Sequence, residues 1–218
     1  MKSYNTPLGE LQIELFGHAS VHFTINGKNW YLDPYCDVCS FEGKTPADFI
    51  LITHDHYDHY DEEALVHIVQ EHTILVVPPV VPRKHYNYQV LQNGESCTVD
   101  GVKITAVPAY NINNLNDQDQ PFHPEGVGNG YILDLRGFKV YFAGDTEFIP
   151  FMKTLKDIDI AFLPKNLPYT MPDEEFIRAA NTIKPAVLYP YHYFELNPKA
   201  LRAEIDPQIK MVMNDHEY

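Results

Sequence analysis

Phe49-Ile50-Leu51-Ile52-Thr53-His54-Asp55-His56-Tyr57-Asp58-His59 joins an apolar run directly to three histidines and two aspartates within six residues. The run has the length and composition of a buried strand, and such a strand delivers the polar residues that follow it into a loop. Neutral imidazole is the commonest protein ligand for zinc, and an ion with an open position activates water, so the stretch points to metal chemistry. A solvated polar turn would draw on Gly, Asn, Ser and Lys rather than repeated His. Extended chain sends alternate side chains the same way, so His54 and His56 can address one ion while the following turn carries Asp58 and His59 toward a second.

Upstream, Leu11 to Leu15 and Val21 to Ile25 alternate apolar and polar residues and read as half-buried strands, with Asn26-Gly27 turning the second into Trp30-Tyr31-Leu32. His22 falls on the polar face of its strand and is expected at the surface, whereas His18 lies in the preceding turn and Asp33 ends the third run. Downstream, Asp61 is placed to cap a helix with Ala64, Leu65, Ile68 and Val69 on one face, and Ile74 to Val77 follows as a short apolar run. Asn93-Gly94 and Asp100-Gly101 read as hairpin turns, and Arg136-Gly137 joins two more strands. Asn111 to Glu125 is too long and polar for a core element and reads as a functional or mobile loop. Pro172 and Asn197 open two further helices, after a buried run Ile158 to Leu163 and before and after Ala186 to Pro190. So many hairpins speak against a doubly wound parallel sheet and for sheets packed on each other under helices.

At 218 residues the chain fits one domain over 1–218, and its formal charge of −14 with scattered Lys and Arg leaves no patch for a nucleic acid. No apolar run approaches the roughly 20 residues that span a bilayer, so no membrane partner is expected and the cytoplasm is the default compartment. Three cysteines are too few for a disulfide framework, and Cys36-Asp37-Val38-Cys39, which has zinc-knuckle spacing, lacks a second pair and reads as two reduced thiols.

Two more candidate ligands stand just past apolar runs: Asp145 in Ala143-Gly144-Asp145-Thr146 and His192 in Pro190-Tyr191-His192. Loops gathered at one edge of a scaffold are where distant sequence assembles a site. The ordered set His-x-His-x-Asp-His, Gly-Asp-Thr and a late strand ending in His resembles the metallo-β-lactamase superfamily. Gly17-His18-Ala19-Ser20, Leu32-Asp33-Pro34 and Pro168-Tyr169-Thr170-Met171 further resemble the small metal-dependent hydrolases grouped with L-ascorbate-6-phosphate lactonase.

The resemblance implies an α/β (α+β) fold, an αββα sandwich of two mixed, largely antiparallel sheets flanked by helices. It implies two divalent ions, Zn2+ with Mn2+ or Fe2+ as alternatives, the first held by His54 and His56, the second by Asp58, His59 and His192, with Asp145 between them. It also implies hydrolysis of an ester, lactone or phosphodiester of a small molecule by a metal-bound hydroxide, with Asp58 orienting the nucleophile. The alternatives are a nuclease of the tRNA-processing type, which the acidic balance disfavours, and a metal-binding module without turnover. Members of the superfamily carry a further histidine at the end of the middle strand, where this chain has Ala109-Tyr110-Asn111. His123 or the weaker ligand Asn111 could complete the first site, or it could hold two histidines only. Tyr110, Tyr169 and Tyr191 either line the mouth or simply pack.

Overall fold

The two kinds of apolar patterning become two kinds of strand pairing in the computed structural model, which describes residues 1–213, 216 and 217. The alternating N-terminal segments form an antiparallel ribbon of β1 (Lys2–Thr6), β2 (Gly9–Gly17), β3 (Ser20–Ile25) and β4 (Lys28–Leu32). The more continuously apolar β5 (Phe49–Leu51) and β6 (Ile74–Val77), and then β7 (Asn87–Val90), join β4 in parallel. Parallel neighbours need a crossover, which between β5 and β6 is α1 (Glu62–Ile68). Asp61 starts that helix by accepting the Glu63 N–H at 2.9 Å.

The second sheet repeats the plan. β8 (Ser96–Val99), β9 (Val102–Ala109), β10 (Gly128–Leu135) and β11 (Phe138–Phe142) pair antiparallel, and β12 (Ile160–Pro164), β13 (Val187–Tyr191) and β14 (Lys210–Met213) continue in parallel. A short β15 (His216–Glu217) closes the edge antiparallel to β14. The crossovers carry α2 (Asp173–Ile183) and α3 (Pro198–Glu204). Among the described residues six strand pairings are parallel and seven antiparallel, so the sheets are mixed as expected but less dominated by antiparallel pairing.

Three apolar layers hold the parts together. Leu11, Phe23, Trp30, Leu51, Ile104, Tyr131, Phe142 and Phe162 belong to a core between the sheets. Phe176, Ala180 and Ile183 of α2 pack with Ala161 and Leu188 behind the second sheet, and Ala64, Leu65 and Ile68 of α1 pack with Ile50 and Leu75 behind the first. The result is the expected αββα order of layers.

Two local expectations fail. Asn93-Gly94 makes no hairpin, because β7 and β8 lie in different sheets and only Gly94 of the pair has a positive φ. Asn93 instead donates its amide to Val107 O, Gly128 O and Asn129 Oδ1, tying the sheet-to-sheet connection to β9 and β10. His22 is buried rather than exposed. The polar face of β3 is roofed by Phe16 and Tyr31, whose ring centroids lie 5.9 and 4.7 Å from its own.

Candidate metal centre

The strands that end at one edge of the sandwich release the chain there, and the candidate ligands are what they release. β5 leads into His54 to His59, where the N–H groups of His59 and Tyr60 both bond to His56 O at 3.0 and 2.8 Å and wind the segment into a compact turn. β11 leads into Gly144-Asp145, and Gly144 has φ +69 with Asn129 O only 2.8 Å from where a Cβ would stand, so no larger residue fits before Asp145. β13 leads into His192, itself at φ 52, whose N–H bonds to His18 O at 2.7 Å. β9 runs out through Tyr110 into the polar loop, which returns His123 to the same place; Asn111 N–H bonds to His123 O at 2.9 Å.

Side chains from these loops converge. Donor atoms of His54, His56 and His123 lie within 4.8 Å of one another, as do those of His18, Asp58, His59 and His192, and those of His54, His59 and Asp145. Asp145 stands between the groups: its Oδ2 is 3.3 Å from His123 Nε2, 3.4 Å from His59 Nε2 and 3.0 Å from His192 Nε2. His54, His59, His123, Asp145 and His192 are buried, whereas His56 is open to solvent and Asp58 partly so.

The tautomers are set by what the far ring nitrogens touch. Asp33, fully buried, takes the Thr53 N–H at 2.8 Å, the Thr53 hydroxyl at 2.7 Å and the His59 Nδ1–H at 2.8 Å. With its proton given to Asp33, the Thr53 oxygen accepts from His54 Nδ1 at 3.0 Å. Asn111 donates its amide to Tyr169 O at 2.8 Å, which fixes its Oδ1 as the acceptor for both the backbone N–H and Nδ1–H of His123, each at 2.8 Å. His54 and His123 therefore present a bare Nε2 to the cluster, and His59 does so in its neutral form. These nitrogens, with His192 Nε2 and Asp145 Oδ1, are buried without a hydrogen-bond partner. Orphaned acceptors facing one another are costly unless a cation sits among them. Two donors each about 2.0 to 2.1 Å from a tetrahedral ion are about 3.3 Å apart, which matches the spacing around Asp145 Oδ2. The residues present fit a divalent metal.

The electrostatics differ among the three imidazoles. Burial and the neighbouring His59 hold His54 well below the ordinary imidazole range, and burial pulls His123 down to about 4 against the attraction of Asp145. Burial acts the same way on His59, but Asp145 and Asp33 overcome it and lift this group well above that range. For Asp145 burial would raise the carboxyl, and His192 and His59 reverse this to hold it well below the carboxylate range. Asp58 is likewise raised by burial but drawn down to about 2, chiefly by the hydrogen bond from His18 Nε2 at 3.0 Å.

Every candidate ligand read from the sequence is thus at this edge. Asn111, weighed above as a ligand, turns its oxygen onto His123 instead. Of the three tyrosines, Tyr169 lines the cleft over the cluster, Tyr191 is buried with its oxygen accepting the Gly144 N–H at 2.8 Å, and Tyr110 packs against the core behind the second sheet. Cys36 and Cys39 are free thiols packed beside the α1 core and join none of the ligand groups. The reading of the sequence did not foresee Asp33, Thr53 and Glu147 as supports. For Asp33 the signals were its place at the end of an apolar run, where a carboxylate has a partner to find, and the Leu32-Asp33-Pro34 motif. Glu147 carried none.

Two packed sheets with histidines and aspartates collected at one edge define a metal-binding protein of the αββα type. The Beta-lactamase superfamily domain model matches residues 12–192. A UPF0173 metal-dependent hydrolase of Methanoculleus marisnigri is 31% identical over 84% of this chain and 81% of its own length. A crystal structure from Parabacteroides distasonis, described as a metal-dependent hydrolase, is 39% identical, superposes with a TM-score of 0.88 and covers 96% of both chains. The fold is shared with Igni18, a metallo hydrolase from Ignicoccus hospitalis, at 20% identity and a TM-score of 0.71 over 95% of this chain and 97% of that one. The chain belongs to the beta-lactamase superfamily, within the UPF0173 metal-dependent hydrolases.

Proposed function

We propose that this chain is a hydrolase with two divalent metal ions, zinc first and manganese or iron as alternatives, acting on an ester, lactone or phosphodiester of a small molecule in the cytoplasm. The observation that carries the reading is the set of buried, unpartnered Nε2 atoms around Asp145. His54, His56 and His123 would hold one ion and Asp58, His59 and His192 the other, with Asp145 shared, since its Oδ2 lies 3.3 Å from His123 and 3.0 Å from His192. Bound there, the ions would act as Lewis acids on the scissile group and make water acidic enough to ionise near neutral pH.

The chain's own residues do the rest. Asp33 and Asn111 hold the imidazoles in the tautomer that leaves Nε2 free. Asp58, partly open to the cleft, would orient the nucleophile, and His18 Nε2 keeps that carboxylate in place. Burial of the floor keeps bulk water from competing for the reacting group.

Elemental analysis of protein purified without chelator, together with a panel of ester, lactone and phosphodiester substrates, tests the proposal. Less than about a tenth of an equivalent of transition metal would be trace occupancy for a closed ligand set and would refute it. Asp58→Ala is expected to abolish hydrolysis while the protein stays folded, and wild-type turnover in that variant would remove Asp58 from the mechanism. Stoichiometric metal with no turnover would favour the metal-binding module.

A further inference from the structure

The walls above the metal-binding floor differ sharply from the floor itself. A cleft of about 320 Å3 opens over His18, His56, Asp58, His123, Asp145 and His192, and its remaining lining is Tyr57, Phe122, Asn166, Tyr169 and Phe194. Among the described residues no Lys or Arg lines it. Tyr57 is 76% exposed and Phe194 77%, two aromatic rings left standing in water at the mouth. Both belong to the loops that carry the histidines, one beside His56 and the other two residues beyond His192. Phe122 and Tyr169 meet edge to face at 4.9 Å and form part of the cleft wall. Lys165, close by in sequence to Asn166, is engaged by Asp173 at 2.7 Å.

This arrangement discriminates between substrate bodies. The metal ions of the reading above would supply positive charge at the reacting end only. An anionic group elsewhere on the substrate would enter a confined site with no fixed cation to receive it, inside a chain whose formal charge is −14. An apolar body, in contrast, would cover the Tyr57 and Phe194 rings and remove their surface and its own from water.

We infer that the substrate is an uncharged ester or lactone with an aromatic or apolar body, gripped by Tyr57, Phe194 and the Phe122–Tyr169 pair, and that phosphorylated compounds are excluded. This rests on the hydrolase reading and narrows it. The test uses the metal-loaded protein and γ-butyrolactones that differ only in their substituent, phenyl or phosphorylated hydroxymethyl, with bis(4-nitrophenyl) phosphate as a third substrate.

The phenyl lactone is expected to exceed the phosphorylated one by about 100-fold or more in kcat/KM, the scale of discrimination a site achieves when one partner is left unpaired. Phe194→Arg, at an exposed position that the fold does not need, is expected to shrink that ratio about tenfold or more by adding a cation and removing a ring. An equal or reversed preference, or faster turnover of the phosphodiester, overturns the substrate class and leaves the hydrolase standing. Full metal content with no turnover of any of the three overturns the hydrolase reading and this inference with it. An unchanged ratio in Phe194→Arg overturns the role given to the rim.

Discussion

Replacing Glu147 by Ala should loosen metal binding far more than it loosens the fold. Glu147 is buried two residues beyond Asp145, and its carboxylate accepts the N–H groups of Ile112 at 2.9 Å, Asn113 at 2.8 Å and Asn114 at 2.6 Å, with the Asn113 side-chain amide at 3.2 Å. It thereby clamps the start of the loop whose Asn111 holds His123. Hydrogen bonds to a charged group contribute about 1.5 to 3 kcal/mol each, but they are not additive, and released loop N–H groups can return to water, so about 3 kcal/mol for the set is reasonable. If that loss falls on closure of the loop, the apparent Kd for metal at the His54, His56 and His123 group rises by the inverse of the closed fraction, up to about 100-fold. The same loss spread over the whole fold would instead lower Tm by about 6 to 12 °C, at 2 to 4 °C per kcal/mol for a chain of this size. Competition against a chromophoric zinc chelator and thermal unfolding of the metal-free protein separate the two. A metal affinity within about threefold of wild type, a difference under about 0.7 kcal/mol, would refute the clamp. Glu147→Gln, which keeps an acceptor, should fall between.

His123→Ala should lower metal stoichiometry and turnover together, and Asn111→Ala should do the same to a smaller degree, because it removes the acceptor that fixes the His123 tautomer; unchanged stoichiometry in His123→Ala would exclude it as a required ligand. Asp33→Asn keeps the shape but weakens the acceptor for His59 and Thr53, and a loss of about 10- to 100-fold in metal affinity or activity is expected, with wild-type behaviour counting against the support role. The metal-free protein should lose stability toward acid. His123 is held at about 4 instead of 6.5, so its unfolded form takes the proton first, and stability fully present above pH 6.5 falls by up to about 3 kcal/mol as pH drops to 4. His59, lifted well above 6.5, acts in the opposite direction only above that pH. Thermal unfolding of chelated protein across pH 4 to 6.5 measures the slope, which His123→Ala should reduce while His54 keeps its own share; a level wild-type Tm would refute the assignment.

Much of this protein is legible one residue after another. The apolar run before His54, the turns at Asn26-Gly27, Asp100-Gly101 and Arg136-Gly137, and the caps at Asp61 and Asn197 are local signals, because period, positive φ and capping depend on neighbours in sequence. The residue types and order of His54, His56, Asp58, His59, Asp145 and His192 likewise announce a site before any distance is known. What the sequence could not decide depends on long-range packing. Asn93-Gly94 has the letters of a hairpin yet crosses between sheets, since pairing of β7 and β8 is settled by which core each strand can bury. His22 looks solvent-facing in its strand and is covered by aromatic rings from β2 and β4. The choice between Asn111 and His123 was open in sequence because both lie beyond the same strand. Only the folded loop, clamped by Glu147, turns the amide oxygen onto one imidazole nitrogen and leaves the other free toward Asp145. Composition can nominate donors, but the direction in which a lone pair points is fixed by tertiary contacts.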